Sequence, residues 1–245
     1  MILFAGSYIV YTNFTYNSYE NLKNKESISV KFQNLPEVIL PIKENYTGYQ
    51  YELVKRYLSS IGNIKLNTAN IAYDINVYYT TNVCRNCQVV NEEDLLLITN
   101  QTANDNKDVD IIELFREIDL QNYDLKSYEI NYLDSSVDEL ISSINDNLIT
   151  NAVVTRSTYL FYKKYFPSLR IRKNLGKVSM VWSFPNDDGS ILEDVRVFLQ
   201  TNESKVFINA LKEKYYSRNS ISSYIFIGSR AFISDMLTKL PEYEQ

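Results

Sequence analysis

Apolar positions recur along this chain with two different periods. In Ser27-Ile-Ser-Val-Lys-Phe-Gln33 they alternate, the pattern of a half-buried strand. Tyr51, Val54, Tyr57, Leu58 and Ile61 recur every three or four residues and predict a helix closed by Gly62. Ile64 to Leu66 starts another strand, and Ile71 to Tyr79 and Cys87 to Val90 are β-like. From Asp94 the pattern restarts. Leu95 to Ile98 predicts a buried strand, Val109, Ile112, Phe115 and Ile118 one face of a helix, and Leu125 to Asn131 a further strand. Ser136-Val-Asp-Glu139 is a capping box before a helix that turns Leu140, Ile141, Ile144 and Leu148 inward. Ala152-Val-Val154 and Val178 to Trp182 predict strands. Between them Ser157 is expected to cap a Tyr-rich helix that Pro167 closes. Ser190-Ile-Leu-Glu193 is a second capping box, opening a helix with Leu192, Val195 and Leu199. A last helix, from about Glu203 to Tyr216, presents Val206, Phe207, Ala210 and Leu211. Strands interleaved with amphipathic helices predict an α/β protein.

Composition narrows the chemistry. The 245 residues are 45% hydrophobic and 22% charged, a globular mixture. The net charge of -5, with no block of Lys or Arg, argues against a nucleic-acid partner. The sequence has no histidine, which removes the commonest general base, the His-containing triads and most zinc sites, so neither a metal nor a cofactor is expected. The 21 tyrosines against 6 glycines are explained more simply by codon bias than by stacking platforms for sugars. Cys84-Arg-Asn-Cys87 is followed by the extended Gln88-Val-Val90, not by a helix that would activate a thiol. Gln88 also stands where haem attachment needs a histidine. A local Cys84–Cys87 disulfide or two free thiols is expected, the former suiting an oxidising compartment. The acidic pairs Glu92-Glu93 and Asp187-Asp188 are expected to be solvated turn residues, because neighbours on a strand point apart. The apolar start, Met1 to Thr12, is too short to span a bilayer as a helix. It is expected to be a remnant of an export signal or anchor, or else a first strand.

Gly48-Tyr-Gln-Tyr-Glu-Leu-Val-Lys-Arg-Tyr57 resembles the first helix of the bacterial family 3 solute-binding proteins. Asp94–Thr102 resembles that family's entry to its second lobe. Asn151-Ala-Val-Val-Thr155 with the helix ending Tyr165-Phe-Pro167, and Trp182 to Asp188, resemble later parts of it in order. The end of the chain is more specific. Glu213-Lys-Tyr-Tyr216, Ser229-Arg-Ala-Phe-Ile233 and Leu240-Pro-Glu-Tyr243 resemble the joint to the catalytic domain in the membrane-bound lytic transglycosylase F family.

The resemblance implies an α/β fold of the two-lobed periplasmic-binding-protein type (type II), each lobe a mixed sheet flanked by helices, with lobe one shortened. Residues 1–26 would be an N-terminal arm. Residues 27–90 with 183–216 would form lobe one, residues 91–182 lobe two, and 217–245 the extension towards a catalytic domain. Amino-acid binders of the family hold the ligand carboxylate with an Arg in a T-x-x-x-x-R stretch, which is absent between Ile64 and Cys84; Arg85 does not match it. They hold the ligand amine with an Asp where this chain has Thr155. Tyr78, Tyr79, Thr102 and Thr155 are the expected cleft-lining residues. The family's catalytic Glu-Ser motif has no counterpart at Lys25-Glu-Ser27 or Asn202-Glu-Ser204, and the chain stops at Gln245, where the catalytic domain would begin. The implied function is that of a non-catalytic periplasmic sensing or regulatory domain, with a peptide, muropeptide or amino-acid ligand. Its partner would be peptidoglycan or a cell-wall enzyme domain, with any membrane contact, including the outer membrane, made through the N-terminus. The alternatives are the substrate-binding protein of an amino-acid ABC importer and a scaffold that has lost its ligand.

Overall fold

In the computed structural model, which describes residues 17–42, 45–82, 84–101, 107–116 and 118–216, two long strands run side by side through the molecule. They are β6 (Cys87–Asn100) and β10 (Leu169–Ser183), antiparallel from Cys87↔Ser183 to Asn100↔Leu169. Beside the end of β10 stand β5 (Ile75–Thr80), β1 (Ser27–Phe32) and β4 (Lys65–Thr68). Beside the end of β6 stand β9 (Asn151–Thr155), β7 (Asp108–Ile112) and β8 (Glu129–Leu133). The result is one eight-stranded sheet in the order β4-β1-β5-β10-β6-β9-β7-β8. The two ends repeat one plan: a first strand lies between the second and third, all parallel, and an antiparallel long strand follows. A small hairpin, β2 (Leu40–Ile42) with β3 (Asn45–Thr47), stands apart.

Helices cover the sheet. α1 (Ser18–Lys23) docks on the start of α5 (Ser190–Gln200), where the Ser18 hydroxyl donates to the Asn186 carbonyl and the Tyr19 N–H to the Ser190 hydroxyl. α2 (Tyr49–Ile61) joins the hairpin to β4, α3 (Val137–Asn145) precedes β9, α4 (Arg156–Lys163) follows it, and α6 (Asn202–Tyr216) closes the described chain. α2 presents Tyr49, Leu53, Val54, Tyr57 and Leu58 to the core as its periodicity requires. Tyr57 meets Trp182 of β10 and Phe198 of α5, ring centroids 6.0 and 5.3 Å apart. Gly48 starts α2 at φ +126°, and a Cβ there would lie 2.6 Å from the Val38 carbonyl oxygen, so the close approach excludes any side chain.

Several expectations are corrected. Val109–Ile118 is not a helix but β7 followed by a 3-10 turn, Glu113–Phe115. Within β7, Val109 and Ile111 are buried while Asp108 and Asp110 are partly exposed, the alternation of a strand, and Ile112 and Phe115 are buried where the chain turns out of it. The strand expected from Leu125 begins at Glu129, because Leu125 is buried in the crossover that precedes it. The two stretches at Cys87–Val90 and Leu95–Ile98 are one continuous strand, β6. Thr155, not Ser157, caps α4 by accepting the Thr158 N–H. Ser190 is the first residue of α5 and not its cap. The Asp187 carboxylate, expected to be a solvated turn residue, accepts the Ile191 and Leu192 N–H groups. Leu148 lies beyond the end of α3 and is 79% exposed, and Val206 is 70% exposed. Among the described residues no helix is long and apolar enough to cross a membrane.

Candidate functional site

The parallel strands of both sheet ends point their carboxyl termini at the same place, the seam where β6 and β10 cross between them. In open α/β sheets ligands gather outside the carboxyl ends of strands. The loop after β1 carries Glu37 there, β5 carries Tyr79, β6 carries Glu93, and the end of β9 carries Thr155 at the start of α4. The sequence pattern alone does not bring these groups together; the pairing of two separate sheet ends with β6 and β10 does.

Glu37 is fully buried, and its carboxyl accepts the hydroxyls of Thr155 at 2.7 Å and Thr158 at 2.9 Å. Glu93, also buried, accepts the Ser157 backbone N–H at 2.7 Å and the Tyr79 hydroxyl. Two carboxyls, Glu37 from the loop after β1 and Glu93 from the shared strand β6, thus sit on the amino end of α4, whose free N–H groups and dipole favour negative charge. Burial pushes the Glu37 carboxyl up to about 7, with the neighbouring Glu93 charge adding to it and the two threonine hydroxyls opposing. Glu93 is likewise raised by burial, against the hydrogen bonds of Tyr79 and Ser157. Other direct bonds close the seam. Gln33 accepts the Tyr79 N–H at 3.0 Å and donates to the Leu114 carbonyl at 2.6 Å, and the Asp119 N–H reaches the Thr81 hydroxyl at 2.7 Å. Just outside, Asp94 holds both Arg156 (2.6 Å) and Lys177 (2.7 Å).

Of the expected cleft residues, Tyr79 and Thr155 join this cluster. Tyr78 does not: alternation along β5 turns it to the other face, where its hydroxyl lies 3.8 and 3.9 Å from the sulfurs of the Cys84–Cys87 disulfide. Thr102 lies outside the described residues, as do the residues of the joint after Tyr216. Glu93 corrects the expectation of a solvated turn acid: it is 7% exposed, while its neighbour Glu92 faces solvent. Glu37, Ser157, Thr158 and Gln33 carried no ligand signal in the sequence. Position 155 carries no carboxyl of its own, but that of Glu37 accepts its hydroxyl. Among the described residues no group of three or more His, Cys, Asp or Glu could hold a metal ion.

No family model matches the chain. Curated relatives do. The membrane-bound lytic murein transglycosylase F of Pseudomonas fluorescens is 25% identical over 92% of this chain and 53% of its own length. That of Pseudomonas syringae pv. syringae is 22% identical over 92% and 52%. The chain therefore spans about half the length of the curated relatives it matches. Among solved structures, the cysteine-binding protein of Campylobacter jejuni superposes with a TM-score of 0.64 at 13% identity, covering 85% of this chain and 96% of that one. A mutant of ArgBP from T. maritima superposes at 0.63 and 12%, covering 81% and 99%. These likenesses show that the fold is that of the type II periplasmic binding proteins, on a chain that is similar over nearly all its length to membrane-bound lytic murein transglycosylase F proteins.

Proposed function

We propose that this chain is a non-catalytic, periplasmic solute-binding-like domain, the sensing or regulatory part of a lytic transglycosylase F-type cell-wall protein. Its ligand belongs at the seam between the two sheet ends, and is an amino acid, a peptide or a muropeptide. The observation that carries this reading is the buried Glu37–Glu93 pair, set on the amino end of α4 and ringed by the Thr155, Thr158 and Tyr79 hydroxyls. An ammonium group entering between the acids would take the place of protons and relieve the repulsion between two buried carboxylates. Opening and closing of the seam would follow from differential affinity for the closed form. A thermal-shift series with amino acids and muropeptides tests the reading. A ligand at a hundred times its Kd stabilises the fold by about 2.7 kcal/mol, so a shift with none of them overturns it. Release of anhydro-muropeptides from purified peptidoglycan would overturn the non-catalytic part.

A second reading is a scaffold without ligand. It is favoured by the direct bonds from Gln33 to Leu114 and from Thr155 and Thr158 to Glu37, which join the halves with side chains of the protein itself. The same thermal-shift series separates the two.

A further inference from the structure

A groove of about 880 Å³ opens between β8 and the β7–β8 crossover and reaches Asn82 and Asp119 at the edge of the seam; none of the residues that line it belongs to the Glu37–Glu93 cluster. One wall is the face of β8 that carries Ile130 and Tyr132, with Tyr128 just ahead of the strand; their spacing of two puts all three on one side. The other wall is the crossover from β7 to β8. Where α2 and α3 occupy comparable crossovers, this one has only short 3-10 turns, Glu113–Phe115 and Leu120–Asn122.

The tyrosines are held in place. The Arg172 guanidinium lies over the Tyr128 ring, 5.8 Å from its centroid, outside the groove lining, and is tied to the Asn151 side-chain oxygen at 2.8 Å. Arg116, itself paired with Glu113, lies over the Tyr132 ring at 5.2 Å, and that tyrosine is 41% exposed. Around the rings stand the amides of Asn82 and Gln121, the ammonium of Lys126 and the guanidinium of Arg116. The Asp119 carboxylate also lines the groove and is engaged locally, accepting the Gln121 N–H and the Asn122 amide. Charges of both signs are therefore present, and no single field selects an ion. Rigid aromatic surface beside planar groups that both donate and accept suits a ligand with flat C–H faces and a dense rim of hydroxyls and amides. The volume lies within the range of small-molecule sites.

We propose that this groove is a second ligand site, distinct from the Glu37–Glu93 cluster, that takes a short uncharged oligosaccharide of N-acetylated pyranose units. Stacking on Tyr128 and Tyr132 supplies affinity, and Asn82, Gln121 and Lys126 fix orientation. The test is titration of the full chain with the trimer of β-1,4-linked N-acetylglucosamine, read by calorimetry or by NMR chemical shifts. Saturable binding is expected, weakened about tenfold by Tyr128→Ala or by Tyr132→Ala. Should either tyrosine variant fail to fold, the exposed Gln121→Ala and Lys126→Ala give the second reading, each weakening binding severalfold. Absence of saturable binding overturns the proposal. So does binding that none of the four substitutions alters, or binding that a saturating amino acid displaces, which would put the saccharide at the seam. An extended acidic peptide that binds here where the saccharide does not also overturns it. Failure of the amino-acid screen leaves this test untouched, since it involves none of the seam residues.

Discussion

The hydroxyl of Tyr215 accepts the backbone N–H of Gly48 at 3.0 Å. The two residues belong to the Gly48–Tyr57 and Glu213–Tyr216 motifs of the sequence, stand 167 positions apart, and are made partners by the fold. Tyr215 also meets Thr47 and Glu52, and Lys214 reaches the same Glu52 carboxylate at 2.7 Å. Burial pushes the Glu52 carboxyl up, but the bonds from Lys214, Tyr215 and Thr47 outweigh it and hold it below its ordinary value. The end of α6 is thus latched to the start of α2, and α6 touches α4 of the other half as well.

Removing one hydroxyl should loosen this latch. Tyr215→Phe leaves the Gly48 N–H and part of Glu52 without a partner, at a cost of about 1–2 kcal/mol. Because the folded Glu52 is held below its unfolded value, its contribution is present above that value and lost as pH falls through the folded one. Urea unfolding of both proteins at pH 7 and pH 3 checks this: the gap between them should shrink at the lower pH.

Glu37 has the opposite sign. Its carboxyl, normally near 4.5, is raised to about 7 in the fold, so its contribution is fully present below pH 4.5 and is lost as pH rises through about 7. Glu37→Gln keeps a neutral group there. The variant should be more stable than the parent at pH 8, with the difference vanishing towards pH 4. Unfolding midpoints across that range test it, and a constant difference would contradict the assignment.

Thr155 serves two partners with one hydroxyl: it donates to Glu37 and accepts the Thr158 N–H that starts α4. Thr155→Val has nearly the same shape and keeps neither bond. A loss of about 1–2 kcal/mol is expected by chemical denaturation. Thr155→Ser should recover most of it.

Gly48→Ala meets both an unfavourable φ and a backbone oxygen closer than any Cβ tolerates. The expected loss is about 2 kcal/mol or more, with poor recovery of folded protein. Gly62→Ala is the comparison, since the nearest atom to its added Cβ is 3.6 Å away, on the Ile64 side chain, and its cost should be well under half of that.

The long amphipathic stretches were legible because one face of each is buried, and period then reports structure directly. α2 with Gly48 and the capping box of α3 at Ser136 stand where the pattern puts them. Short-range pattern failed where apolar residues of a strand and of the turn after it fall by chance at helical spacing. Val109, Ile112, Phe115 and Ile118 are all buried, but on a strand and the turns that follow it, so a helical spacing coincided with a strand and a turn. Glu93 differs from Glu92 because alternation turns it to the face where Tyr79 and the start of α4 cover it.

What the sequence by itself determined is the local order of elements and, through two motifs at opposite ends of the chain, the fold class. Only the tertiary structure decided the site. The Glu37 carboxyl stands next to Thr155, 118 residues away, because the loop after β1 and the end of β9 both lie at the carboxyl ends of strands that the shared β6–β10 pair turns towards each other. Sequence periodicity encodes which face of an element is buried, but not which distant element supplies the charge that meets it.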